Sequence, residues 1–111
     1  MSYLDLATAH QLADLVLKVD GERVRRIILF GSRARGDACA DSDFDLLIVL
    51  RDIAPLDRRS YLVSLYRALQ GCGVAAEPWV MSEEEFEETK GVIGGLAYPA
   101  CKEGVSLYEN P

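Results

Sequence analysis

One stretch, Asp43-Phe44-Asp45-Leu46-Leu47-Ile48-Val49-Leu50, constrains the fold of this chain more than any other. It is the strongest strand signal present, an apolar run with two carboxylates at its start. A second strand is expected at Val24–Phe30, rich in β-branched and aromatic residues, and it runs directly into the turn Gly31-Ser32. Upstream, residues 2 to 18 carry Leu4, Ala7, Leu12, Leu15, Val16 and Val19 at helical spacing, with Asp20-Gly21 as the stop. Downstream, a second long helix starts near Pro55 and continues to about Gln70. Leu62, Leu65, Tyr66 and Leu69 form its apolar stripe, and Gly71-Cys72-Gly73 ends it.

Residues 74 to 81 read as a third strand. Pro78 cannot donate to a ladder, so this strand belongs at an edge or carries an irregularity. Ser82 followed by Glu85 is a capping-box pattern and predicts a short helix to about Lys90. The Gly-rich segment 91–102 is expected to be helical in part, and Val105–Tyr108 to be a last short strand. The order α-β-turn-β-α-β-α-α-β describes an α/β or α+β architecture, a sheet with helices packed against it.

A chain of 111 residues, without internal repeats or dividing linkers, is expected to be one domain spanning 1–111. Half of it is apolar and 27% is charged, an ordinary soluble composition. No apolar run approaches the ~20 residues a membrane span needs, and no secretory signal is visible at the start. Cys39, Cys72 and Cys101 are odd in number and widely spaced, which suits reduced thiols and a cytoplasmic location. The net charge of −6 argues against direct nucleic-acid binding, which would call for a basic face. Acidity suits a carboxylate metal site, a basic partner protein or simple solubility.

The chemistry is concentrated between Phe30 and Leu50. Gly31-Ser32 follows a strand, ten residues intervene, and Asp43 and Asp45 then stand two apart. Period-two geometry puts both carboxylates on one strand face, where a cation is needed to neutralise them. Magnesium fits, since it takes one or two carboxylates together with substrate phosphates. The glycine allows close backbone approach to a phosphate, and Ser32 can donate to a phosphate oxygen. Arg33 and Arg35 lie just beyond as charge-assisted donors. Together these groups suit transfer at phosphorus.

Gly31-Ser32, ten residues, then Asp43-Phe44-Asp45 resembles the G-S-x10-D-x-D signature of the minimal nucleotidyltransferases, small relatives of the DNA polymerase β-like superfamily. Arg33, Gly36, Ser42, the apolar run after Asp45, Tyr98-Pro99-Ala100 and Gly104–Tyr108 extend the likeness over nearly the whole chain. The resemblance implies the nucleotidyltransferase fold, a small mixed β-sheet with packed helices. It implies one or two Mg2+ ions and ATP as donor. Gly31, Ser32, Arg33, Arg35 and Ser42 would serve the nucleotide, and Asp43 and Asp45 the metal and catalysis. A third catalytic and metal-binding carboxylate falls at Glu77, a position commonly Asp in the family. Two roles stay open for this departure: general base for the acceptor hydroxyl, or a charge beside Pro78 that discourages edge pairing.

Small stand-alone members of the family are similar to antitoxins that transfer AMP to a tyrosine of a helical HEPN ribonuclease toxin. A protein adenylyltransferase with a HEPN-type partner is therefore the expected function. The alternatives are a binding module that neutralises a partner by complex formation, and a transferase for a small hydroxyl compound whose site a second subunit completes in a homo- or hetero-oligomer. His10 reads as a surface or packing residue, the run Glu83–Glu88 as a solvated helix face, and Tyr66 and Trp79 as core or interface aromatics.

Overall fold

The backbone of the central strand buries side chains on both faces, and the rest of the chain is arranged around that fact. The computed structural model describes residues 2–110. Strand β1 (Val24–Phe30) lies antiparallel to β2 (Phe44–Leu50), and β3 (Ala76–Ser82) pairs with β2 in parallel. Strand β4 (Val105–Glu109) pairs antiparallel with β1, giving the mixed order β3-β2-β1-β4. Pro78 thus sits on an edge strand, where its missing N–H leaves no interior ladder broken.

Alternation along β2 feeds two cores. Phe44, Leu46, Ile48 and Leu50 face one layer with Leu12, Val16, Leu65 and Leu69. Leu47 and Val49 face the other with Ile28, Phe30, Met81 and Phe86. Leu46 to Leu50 have no exposed surface, and each such side chain contributes about 1.5–3 kcal/mol by leaving water.

The first layer is helix α1 (Tyr3–Asp20) and helix α3 (Arg58–Leu69), the latter entered through a 3-10 turn at Pro55–Asp57. Helix α1 opens on Ser2, whose Oγ accepts the Asp5 amide at 3.0 Å. Its buried stripe is Ala9, Leu12, Ala13 and Val16 rather than the wider set expected from spacing. Ala7 points away because it stands five residues, about 140°, from Leu12. Leu4 and Val19 lie beyond either end of the two turns that touch the sheet, and both are exposed. On α3, Leu65 and Leu69 are buried while Tyr66 is 40% exposed, so Tyr66 flanks the stripe rather than belonging to it.

The second layer is α4 (Glu83–Thr89) and α5 (Ala97–Glu103). Ser82 caps α4 as its pattern predicts, its Oγ accepting the Glu85 amide at 3.1 Å. Arg58 Nη2 donates to the Glu85 carboxylate at 2.6 Å, so that carboxylate ties α4 to α3 while the Glu85 amide serves the cap. The acidic run is less solvated than expected. Glu83 lies 3.4 Å from Arg25, and Glu87 lies 4.0 Å from Arg26 and 2.6 Å from Lys90. Such half-exposed pairs are each worth under about 1 kcal/mol, but the two with Arg25 and Arg26 fasten α4 to β1. Among the described residues no helix is long and apolar enough to cross a membrane.

Candidate active site

The site forms where β1 ends beside the start of β2. Phe30 stands opposite Asp45 in the ladder, and the chain leaves β1 through Gly31 at φ 78° and ψ −159°. That conformation is essentially reserved for glycine. A Cβ at Gly31 would also overlap Asp45 Oδ2, so the turn backbone lies directly against the carboxylate. A short helix α2 (Ser32–Arg35) follows, in place of the plain turn expected from sequence. Ala34 and Arg35 donate their amides to Gly31 O at 3.1 and 3.0 Å, whereas the preceding amides of Ser32 and Arg33 take no part in the turn.

Asp43 is exposed, one residue before β2 begins. Asp45 is half-buried on β2 and aligned with Glu77 on parallel β3. Aligned residues of neighbouring strands share a face about 4.8 Å apart, so Asp43, Asp45 and Glu77 gather on one side of the sheet edge. Burial pushes the Asp45 carboxyl up from its ordinary value. The Trp79 indole N–H opposes this, the Asp43 and Glu77 charges add to it, and Arg35 opposes it. Asp43 and Glu77 also line an open cleft of about 330 Å³ with Tyr66 and Gln70. Burial first, then hydrogen bonding to Glu77 and the charges of Glu77 and Asp43, raises the Tyr66 phenol above its ordinary value.

Among the described residues, no three His, Cys, Asp or Glu side chains converge tightly enough to cage an ion by themselves. Magnesium does not ask for that. One or two carboxylates are its usual protein share, the rest being phosphate oxygens and water. The carboxylates of Asp43, Asp45 and Glu77, near enough for the charges of Asp43 and Glu77 to act on Asp45, are hard-oxygen donors of the kind a divalent cation takes, so the donor set fits.

The remaining residues singled out in the sequence divide. Arg35 is exposed, pairs with Asp37 at 3.3 Å and Glu103 at 3.6 Å, and lies near enough to Asp45 to lower its pKa. Arg33 is committed elsewhere: Nε and Nη2 donate to Ser42 O at 3.1 and 2.9 Å, and Nη1 to Asp5 Oδ1 at 3.2 Å. Ser42 Oγ accepts the Cys39 amide at 3.0 Å, closing the loop between α2 and β2. As placed, Arg33 and Ser42 hold this loop. Sequence reasoning also put Tyr66 and Trp79 among core or interface aromatics. Both are 40% exposed and face the carboxylates. Period two from Glu77 could have placed Trp79 on the site face; nothing in the α3 pattern could have done so for Tyr66.

A glycine turn leading from one strand into a helix, beside a neighbouring strand that opens on paired aspartates, defines a class of proteins that transfer nucleotidyl groups. The chain belongs to the polymerase beta nucleotidyltransferase family, whose model matches residues 16–111. It is a nucleotidyltransferase. The chain is similar to a Methanocaldococcus jannaschii protein provisionally named a protein adenylyltransferase, 38% identical over 87 residues, which cover 78% of this chain and 80% of the relative. It is also similar to a solved structure provisionally named a minimal nucleotidyltransferase, at 29% identity and TM-score 0.54, covering 95% of this chain and 98% of that one. In fold it resembles a chain in the complex of a tri-AMPylated Shewanella oneidensis HEPN toxin with its MNT antitoxin, at 17% identity and TM-score 0.56, covering 96% and 73%.

Proposed function

We propose that this protein is a cytoplasmic, single-domain antitoxin that transfers AMP from ATP to a tyrosine hydroxyl of a HEPN-type toxin. The observation that carries the reading is the packing of Gly31 against Asp45, with Asp43 and Glu77 on the same face. The family and the provisionally named adenylyltransferase relative support the reaction type, and the toxin complex of similar fold supports the partner.

Asp43 and Asp45 are the residues that would hold Mg2+, with Glu77 beside them. Bound magnesium would offset negative charge on the attacking and leaving oxygens. The Ser32 and Arg33 amides, with the Ser32 hydroxyl, orient the β- and γ-phosphates at the turn that Gly31 makes possible. Arg35, exposed and paired at the surface with Asp37 and Glu103, is free to swing onto a phosphate. Glu77 accepts the proton of the acceptor hydroxyl, whose oxygen bonds to the α-phosphorus as the bond to the bridging oxygen breaks and pyrophosphate leaves.

The test uses ATP labelled at the α-phosphate, with Mg2+, in lysate of the source organism. Wild type is run beside the double variant Asp43→Asn, Asp45→Asn. Label on one protein band with wild type alone is the expected result, and that band identifies the acceptor. Label in a small molecule would replace the toxin by a small hydroxyl compound. No label, from folded protein, would favour a binding module. A pure binder with Asp45→Asn would still suppress its partner.

A further inference from the structure

Arg33 grips the chain on both sides of Asp43. Before it, Nε and Nη2 donate to Ser42 O at 3.1 and 2.9 Å, and Nη2 reaches Ala40 O at 3.3 Å. After it, the guanidinium carbon stands 4.6 Å from the centre of the Phe44 ring. The arginine is in turn held by Asp5 at 3.2 Å, and the two side chains are only 14% and 21% exposed. Asp5 sits in the first turn of α1, outside the residues 16–111 that carry the family match. An exposed aspartate at the mouth of a loop has no fixed direction of its own. Here its two flanking residues are pinned to α2 and, through Asp5, to α1.

We propose that Arg33 and Asp5 are positioning residues for Asp43, a role that rests on the reading of Asp43 as a metal-holding carboxylate. A planar fork suits the task because several N–H groups act from one rigid plane that also stacks on a ring. Lysine would keep the charge and lose the fork. Because Arg33 directly follows Ser32, one side chain sets the distance between the phosphate end of the site and its carboxylate end. Partners of this kind behind a metal ligand typically change metal affinity or activity by about 10- to 100-fold when removed.

The experiment compares wild type with Arg33→Lys, Arg33→Ala and Asp5→Asn, each as the full chain. Mn2+ binding to the nucleotide-free protein is read by electron paramagnetic resonance. Alongside it, calorimetry gives ATP affinity without metal, transfer kinetics give kcat and KM, and melting temperature reports on the fold. Expected are Mn2+ affinity weakened by roughly 10-fold or more and a lowered kcat in all three variants, with metal-free ATP affinity unchanged. Asp5→Asn keeps the arginine and carries the test if Arg33→Ala does not fold. A lower melting temperature with wild-type Mn2+ affinity and kcat per folded molecule would mean a structural role only and would overturn the proposal. Loss of metal-free ATP affinity in the arginine variants would overturn it in favour of direct phosphate contact. Wild type that binds Mn2+ yet labels no acceptor would sink the antitoxin reading, while the Mn2+ comparison still decides this one. Wild type that binds no Mn2+ would sink this proposal.

Discussion

At the scale of single residues, Gly31 and Asp45 define one another. The glycine backbone occupies the space beside the carboxylate, in a conformation closed to side chains. Gly31→Ala is expected to destabilise the fold by about 1–3 kcal/mol through the backbone alone, and to displace Asp45 as well. Denaturant midpoint and transfer rate should fall together, with the rate falling further than the lost folded fraction explains. A midpoint and rate equal to wild type would show that the turn relaxes freely. Gly31 and the aspartate pair were legible in the sequence because turn chemistry and period two are local rules. The orientation of Arg33 was not, since its partners Asp5 and Ser42 lie 28 and 9 residues away. An arginine next to a phosphate turn looks the same in sequence whether it faces the ligand or the loop.

At the scale of elements, the strongest local signals survived folding with nearly the expected bounds. Strand β1 runs Val24–Phe30 as read, β2 begins at Phe44, and of the edge position or irregularity that Pro78 called for, β3 takes the edge. Helix α2 escaped notice because four residues do not establish a period. The start of α4 was legible through Ser82, which ends β3 and caps the helix that follows at once. Replacing it should show what the cap contributes: Ser82→Ala is expected to cost about 1 kcal/mol, read as a lower denaturant midpoint with an unchanged slope. An unchanged midpoint would mean that the Arg58–Glu85 contact at 2.6 Å holds the helix start by itself.

At the scale of the molecule, the layer of α1 and α3 is joined by Tyr61, whose ring lies 5.7 Å from the Arg23 guanidinium and whose hydroxyl is buried without a hydrogen-bond partner among the described residues. Burial first, with the Asp20 charge, pushes this phenol from 10 up to about 12, against the pull of Arg23. Between those two values the native chain keeps a proton that the unfolded chain has released. Stability is therefore full below pH 10 and declines as pH rises toward 12. Tyr61→Phe should match or exceed wild type near neutrality, since no partner is lost, and should lose less stability over the alkaline interval. Melting curves across that interval decide it, and parallel losses in both proteins would exclude Tyr61 as the titrating group.

The sequence by itself determined the elements other than α2, their order and the spacing of Gly31, Ser32, Asp43 and Asp45, because helix period, strand alternation, turn chemistry and capping act over a few residues. Only the tertiary structure decided which strands are neighbours, and with that the alignment of Glu77 with Asp45 and the exposure of Tyr66 and Trp79 beside the carboxylates. It also decided that Arg33 meets Asp5 and the loop. These depend on contacts between residues far apart in the chain, and which of a side chain's possible partners it meets is fixed only when the layers pack.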